Sequence, residues 1–247
     1  MQRRVQRGSG FTLIDILVSI AVIALLIGIM LPSLSQVREM SRRVLCASNV
    51  RQIGFGLLMY ADANKDFLAP TIHVRGASND NSSLSARGDT MTIRVDADTV
   101  GLWGQPWDGI GRLYLGEYLR APKIFYCPSH RGEHPFSRYE LEWAGGAGEI
   151  VSNYQYRGKG ARQNQTRLTR IIPPRVALLT DGMRTIDDFN HAPGMNVLFA
   201  DLSVAYLIDT TGSVTSLLPQ MARVGGGANG GGTNFDDVWN GIDKLGN

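Results

Sequence analysis

The sequence predicts an α+β chain, with one long N-terminal helix whose second half packs on an antiparallel β-sheet. Three observations predict it. From Phe11 to Leu31 the chain is an apolar run carrying a single charge, Asp15. Beyond it, apolar residues recur every three or four positions as far as Tyr60. The last third holds short β-rich runs separated by turn residues, the pattern of adjacent antiparallel strands.

The 21 residues 11–31 would span roughly 31 Å as a helix, enough to cross a bilayer. A secretory signal has a shorter core, about 7–15 residues, and ends at a small-x-small site, which is not found after Leu31. A carboxylate inside such a run costs roughly 2.5–3.5 kcal/mol on insertion scales, so Asp15 is expected to have a partner. Pro32 breaks one helical hydrogen bond, yet membrane helices tolerate proline where neighbours compensate. The helix is therefore expected to continue. Leu34, Val37, Val44, Cys46, Val50, Ile53, Leu57 and Tyr60 form one stripe, with Arg38, Glu39, Arg42, Arg43, Arg51 and Gln52 between them. Asp62, Asn64 and Asp66 mark its end near residues 61–65.

The polar segment from His73 to about Asp98 reads as a surface insertion with one strand, 91–95. A short helix is expected over 110–119, and residues 131–148 read as loop. Val176–Thr180 is a strand candidate ending at Asp181-Gly182, a turn pair. Asn196–Ala200 and Ser203–Ile208 read as a hairpin, and Val214–Leu218 as a last strand. Six glycines lie within 225–232, a tail too flexible to form a core element alone, with Phe235 to Trp239 as the segment that would dock it.

Net charge is +3, but residues 1–10 hold Arg3, Arg4 and Arg7 and no acid, so the remainder is formally neutral. The basic pI is then no argument for nucleic acid. The arginines before the apolar run favour a cytoplasmic N-terminus, although Arg38, Arg42 and Arg43 follow it. Cys46 and Cys127 are the only cysteines. In an oxidising compartment a single disulfide would tie the helix to the globular part, and two buried free thiols are the alternative.

The run Gly10-Phe11-Thr12-Leu13-Ile14-Asp15, with the basic stretch before it and Pro32 after it, resembles the N-terminus of type IV pilins and type II secretion pseudopilins. The resemblance covers about 50 residues. It implies a leader, 1–10, removed by a prepilin peptidase after Gly10, and N-methylation of the new first residue, Phe11. It also implies that the acid at Asp15 pairs with the terminal amine at Phe11 of a neighbouring subunit. Asp15 stands where the family usually has Glu, one methylene longer. The implied domains are a filament-core helix, 11–31, an amphipathic continuation, 32–65, and a periplasmic or extracellular pilin-like domain, 66–247. Residues Cys46 to Gly54, Tyr126-Cys127-Pro128-Ser129, and His191 with Asp201 resemble a subset of pilin-like proteins abundant in Planctomycetes. In that subset a His is followed by nine residues and Asp-Gly, and Leu202 here replaces the Gly.

Other constellations carry less. His191 and Asp201, with Asp181 as a third polar group, read as hydrogen-bonding or binding residues around the hairpin, without a nucleophile to make a catalytic set. Cys127, His130 and His134 have zinc-like spacing but supply only three ligands. Asn234, Asp236, Asp237 and Asp243 are oxygen donors suited to calcium, as in the tails of major pseudopilins, though without regular spacing. The stretch from Tyr154 to Arg170, with Tyr156, Arg157, Lys159, Arg162 and Arg167, reads as a solvated basic loop rather than a nucleic-acid face.

The expected function is that of a structural subunit, not an enzyme, in a type II secretion pseudopilus or related filament. The alternatives are a type IV pilus subunit for adhesion or DNA uptake and a membrane-anchored periplasmic binding domain. Expected partners are the prepilin peptidase, other pilin-like subunits, the inner-membrane assembly platform and membrane lipid. No cofactor is expected beyond the calcium candidate.

Overall fold

The computed structural model describes residues 12–71, 91–95, 106–145, 148–160, 165–183, 189–191, 193–218 and 235–246. Residues 1–11, which include the expected leader, and the polar segment 72–90 lie outside them. Helix α1 is Leu13–Ala63, so it does continue through residue 32. The chain divides into two compact units, residues 1–41 and 42–247. In the first, the large apolar side chains from Leu13 to Leu31 are exposed throughout.

In the second unit, the remainder of α1 lays one face on a sheet. Cys46, Val50, Ile53, Leu57 and Ala61 are buried at steps of four, three, four and four. The expected stripe is thus right from Cys46 onward, but Leu34, Val37 and Val44 are exposed. Gly54 lets the helix sit close to the sheet, because a Cβ there would lie 2.8 Å from Leu198 Cδ1. A mid-helix glycine costs about 1 kcal/mol relative to alanine, which this close approach offsets.

Strand β1 (Thr92–Arg94) pairs antiparallel with β2 (Ile150–Val151). Four further strands form an antiparallel sheet in sequence order: β3 (Tyr154–Tyr156), β4 (Ala177–Asp181), β5 (Gly194–Phe199) and β6 (Val204–Ile208). The expected strands near 91–95 and 176–180 and the hairpin are all present. Strand β5 is buried along its whole length because both faces are covered. Leu198 joins the core under α1, whereas Met195, Val197 and Phe199 join a second core on the opposite face. At the hairpin, Leu202 has φ +65°, the left-handed region that favours glycine.

Several expectations are corrected. The helix expected over 110–119 is shorter, α2 (Gly111–Leu115). The segment 131–148 contains helix α3 (Glu140–Gly145), which buries Trp143 against Phe125 and Tyr126. Residues 214–218 are not a strand: Thr215–Leu217 is a 3-10 turn, with Val214 and Leu218 buried. The chain end is helix α4 (Phe235–Gly246), whose Val238, Trp239 and Ile242 fill the second core. Asp236 and Asp237 sit in its first turn and Lys244 in its last, matching the helix dipole.

The supposed basic loop is buried at its start. Tyr154 and Tyr156 are core residues, Arg157 pairs with Asp243 at 2.8 Å, and Lys159 pairs with Asp236 at 2.9 Å. Arg162 lies outside the described residues.

The 3-10 turn at 215–217 depends on one carboxylate. Asp209 accepts hydrogen bonds from the Val214 and Thr215 amides at 3.0 and 2.8 Å and from the Ser213 and Thr215 hydroxyls at 3.0 Å each. Burial alone would raise its pKa, but these donors outweigh it and hold the group below the ordinary 3.8. A depressed folded-state pKa stabilises above the unfolded-state value and is lost as pH falls through the folded one. Asp209→Asn should therefore lower stability at neutral pH, and the difference from the parent should shrink below about pH 4. Urea unfolding across pH checks this, and a difference independent of pH would refute it.

Candidate functional site

The sheet sets out a row of polar residues beneath α1. Tyr154 is directly opposite Asp181 in the β3–β4 pairing, and Thr180 is opposite Val197 in the β4–β5 pairing. Asp181 is therefore next to Asn196, whose backbone N–H and side-chain Nδ2 donate to Asp181 Oδ2 at 2.6 and 3.1 Å. Since side chains alternate along a strand, Leu179 and Asp181 share the face that carries the α1 core.

Cys46 of α1 comes down on this row. Its Sγ donates to Asp181 Oδ1 at 2.7 Å and lies 3.3 Å from the Tyr154 hydroxyl. Cys127 follows the 3-10 turn Pro122–Phe125. Its backbone N–H donates to Asn153 Oδ1 at 3.2 Å, and the Asn153 N–H donates to the Phe125 carbonyl at 3.0 Å. This places Cys127 Sγ 3.2 Å from His191 Nε2. His191 is fixed by its own carbonyl, which accepts from the Gly194 N–H and the Tyr206 hydroxyl at 2.8 Å each. Its Nε2 is 3.9 Å from Asp181 Oδ2.

Four groups from distant parts of the chain thus converge. One ligand-type atom each from Cys46, Cys127, Asp181 and His191 lies within 4.8 Å of the other three, and all four residues are buried. Burial raises the Asp181 pKa, only partly opposed by His191, the Cys46 thiol and the Asn196 amides. Burial also opposes ionisation of Cys127, but its contacts with Cys46 and His191 outweigh that and hold the thiol below its ordinary value. An open cleft of about 530 Å³, lined in part by Asn49, Tyr126, His130 and Phe136, reaches Cys127.

The structure rearranges the sequence candidates. Cys46 and Cys127 are two buried free thiols whose side chains meet, one of the two alternatives that the sequence leaves open. The His191–Asp201 pairing is replaced by His191 with Asp181. Asp201 is exposed in the hairpin turn and accepts from the Ser203 N–H at 2.9 Å. The zinc-like trio is split: His130 Nδ1 bonds Asn190 Oδ1 at 2.8 Å, His134 Nδ1 contacts the Tyr139 hydroxyl, and Cys127 faces His191. Of the calcium candidates, Asn234 lies outside the described residues, Asp236 pairs with Lys159, and Asp237 is exposed. Sequence reasoning had all four members of the cluster but treated the cysteines and His191 as separate questions.

At the other end of the chain, Gly10 and Phe11 lie outside the described residues. Asp15 Oδ2 accepts from the Thr12 N–H and hydroxyl at 3.0 and 2.8 Å, while the Asp15 N–H faces Thr12 Oγ1 at 3.4 Å. This is a reciprocal capping box at the start of α1. Comparisons with family models, curated proteins and solved structures found no match to this chain. The fold itself, an N-terminal helix whose later part packs on an antiparallel sheet, is compatible with a pilin-like arrangement.

Proposed function

We propose that this protein is a prepilin-like structural subunit, cut after Gly10, N-methylated at Phe11 and assembled through its N-terminal helix. The filament would be a type II secretion pseudopilus or a related one. One observation carries the reading: the apolar segment of α1, which starts just after the Gly-Phe junction, contains no residue that is buried within its own chain. Exposed apolar surface at this scale needs a cover. Lipid covers it before assembly and neighbouring helices afterwards. The helix is long and apolar enough to cross a membrane, and the folded unit 42–247 would then stand on the periplasmic side. The role is structural rather than catalytic, with the prepilin peptidase, related subunits and the assembly platform as partners.

The capping box sharpens the part assigned to Asp15. Within the subunit its charge already serves Thr12, so pairing with an incoming terminal amine exchanges one set of donors for another. The decisive measurement is the N-terminal peptide mass of protein from its native membrane. A chain beginning at N-methylated Phe11 is the expected result. A chain starting at Met1, or cut beyond Leu31, would sink the proposal. Asp15→Ala is expected to leave membrane-inserted subunit and no filament, scored by shearing and sedimentation. Filaments at parental yield would remove Asp15 from the assembly step.

A further inference from the structure

We propose that Cys46, Cys127, Asp181 and His191 form a closed, four-ligand site for a structural divalent zinc ion. The donor set is two thiolates, one imidazole nitrogen and one carboxylate oxygen, a soft and borderline combination that suits tetrahedral zinc. A tetrahedral ion with bonds of about 2.3 Å to sulfur and 2.0–2.1 Å to nitrogen or oxygen sets ligand atoms roughly 3.3–3.8 Å apart. Cys127 Sγ and His191 Nε2 are 3.2 Å apart, His191 Nε2 is 3.9 Å from Oδ2, the other oxygen of the Asp181 carboxylate, and one ligand atom from each of the four residues lies within 4.8 Å of the other three. The Cys46 Sγ to Asp181 Oδ1 contact, now 2.7 Å, would open by about 1 Å to admit the ion.

The surroundings are those of a metal ligand shell. Asn196 holds Asp181 through Oδ2 and leaves Oδ1 directed at Cys46. The Tyr154 hydroxyl stands 3.3 Å from Cys46 Sγ, placed to donate to a thiolate. Cys127 is positioned through its backbone by Asn153. Such partners fix ligand direction and raise affinity. All four positions are filled by protein and buried, which is the arrangement of a structural ion and leaves no open position for a substrate. The cleft that reaches Cys127 provides the way in. On binding, Zn²⁺ takes the place of the two thiol protons, which leave to solvent, while Asp181 binds as carboxylate and His191 as neutral imidazole. No oxidant or reductant is involved. The consequence is a cross-link between α1, the Cys127 turn, β4 and the segment before β5. It does the work that the sequence suggested for a disulfide. The inference does not depend on the filament reading.

The test uses the full-length chain, purified in detergent under reducing conditions without chelator. Elemental analysis should find about one zinc per chain. Cobalt(II) added to the chelator-stripped protein should give a thiolate-to-cobalt charge-transfer band and the intense visible bands of a tetrahedral site. Both signals should be lost in Cys127→Ser and in His191→Ala, and chelation should lower the melting temperature of the parent only. The cobalt titration of the parent needs no variant, so a misfolded mutant does not blunt the test. A folded, reduced chain that binds neither zinc nor cobalt at stoichiometry would overturn the proposal. So would protein from the native membrane in which Cys46 and Cys127 are joined as a cystine.

Discussion

Replacing Asp243 by asparagine is expected to destabilise the globular unit by about 3–5 kcal/mol, the cost of leaving one member of a buried ion pair alone. Arg157 is almost wholly buried, and its Nη1 donates to Asp243 Oδ2 at 2.8 Å. The same carboxylate accepts from the Ala177 N–H through Oδ1 at 2.8 Å, so it ties α4 to β4 as well. The guanidinium also lies 5.6 Å from the centre of the Trp239 ring, which offers it a π face but no counter-charge. Asparagine preserves size and can still accept from Ala177, so the change isolates the charge. The measurement is urea unfolding of the detergent-solubilised chain, for Asp243→Asn, Arg157→Met and the double variant. The double variant should lose much less than the sum of the two single changes, because it leaves no buried charge unpaired. Strict additivity would show that the pair contributes nothing as a pair.

Trp239→Ala is the second large effect, again about 3–5 kcal/mol. Trp239 has no exposed surface and sits among Ala177, Met195, Val197, Phe199, Val214 and Ile242. Residues from β4, β5, the 214–218 turn and α4 itself line this core, so no single neighbour can collapse into the space left by the ring. The loss should be read as a lower urea midpoint with an unchanged slope. Trp239→Phe keeps most of the apolar volume and should recover more than half of the loss. If the alanine variant unfolds at the parental midpoint, α4 is not a core element.

The two ends of α1 and the sheet hairpin were legible because their signals are local. An apolar run with a single charge, a stripe from Cys46 to Tyr60 and two β-rich runs with a short turn each fix their own structure. The stripe failed at Leu34, Val37 and Val44 because periodicity says which residues share a face and not whether that face has anything to meet. Helix α4 was hidden by the glycines before it, although Val238, Trp239, Ile242 and Leu245 are spaced as one helical face. Arg157 and Lys159 read as solvent-facing because their partners are far along the chain, beyond any local pattern. The cluster was half legible for the same reason. Its residue types stood out, but Cys46 and Asp181 are 135 residues apart, and only the packing of α1 on the paired strands β3, β4 and β5 brings them together.

The placement of α4 has a consequence for the order in which the protein is made. Synthesis runs from the N-terminus, and domains tend to fold as units. Here Arg157 and the apolar face of β5 emerge long before the residues that complete them. Until Val238, Trp239, Ile242 and Asp243 have left the ribosome, the sheet has one uncovered side and a cation without its carboxylate. The folded unit can therefore close only once α4 has emerged. A nascent or prematurely terminated product, even one lacking only α4, would be recognised by chaperones and proteases as unfinished.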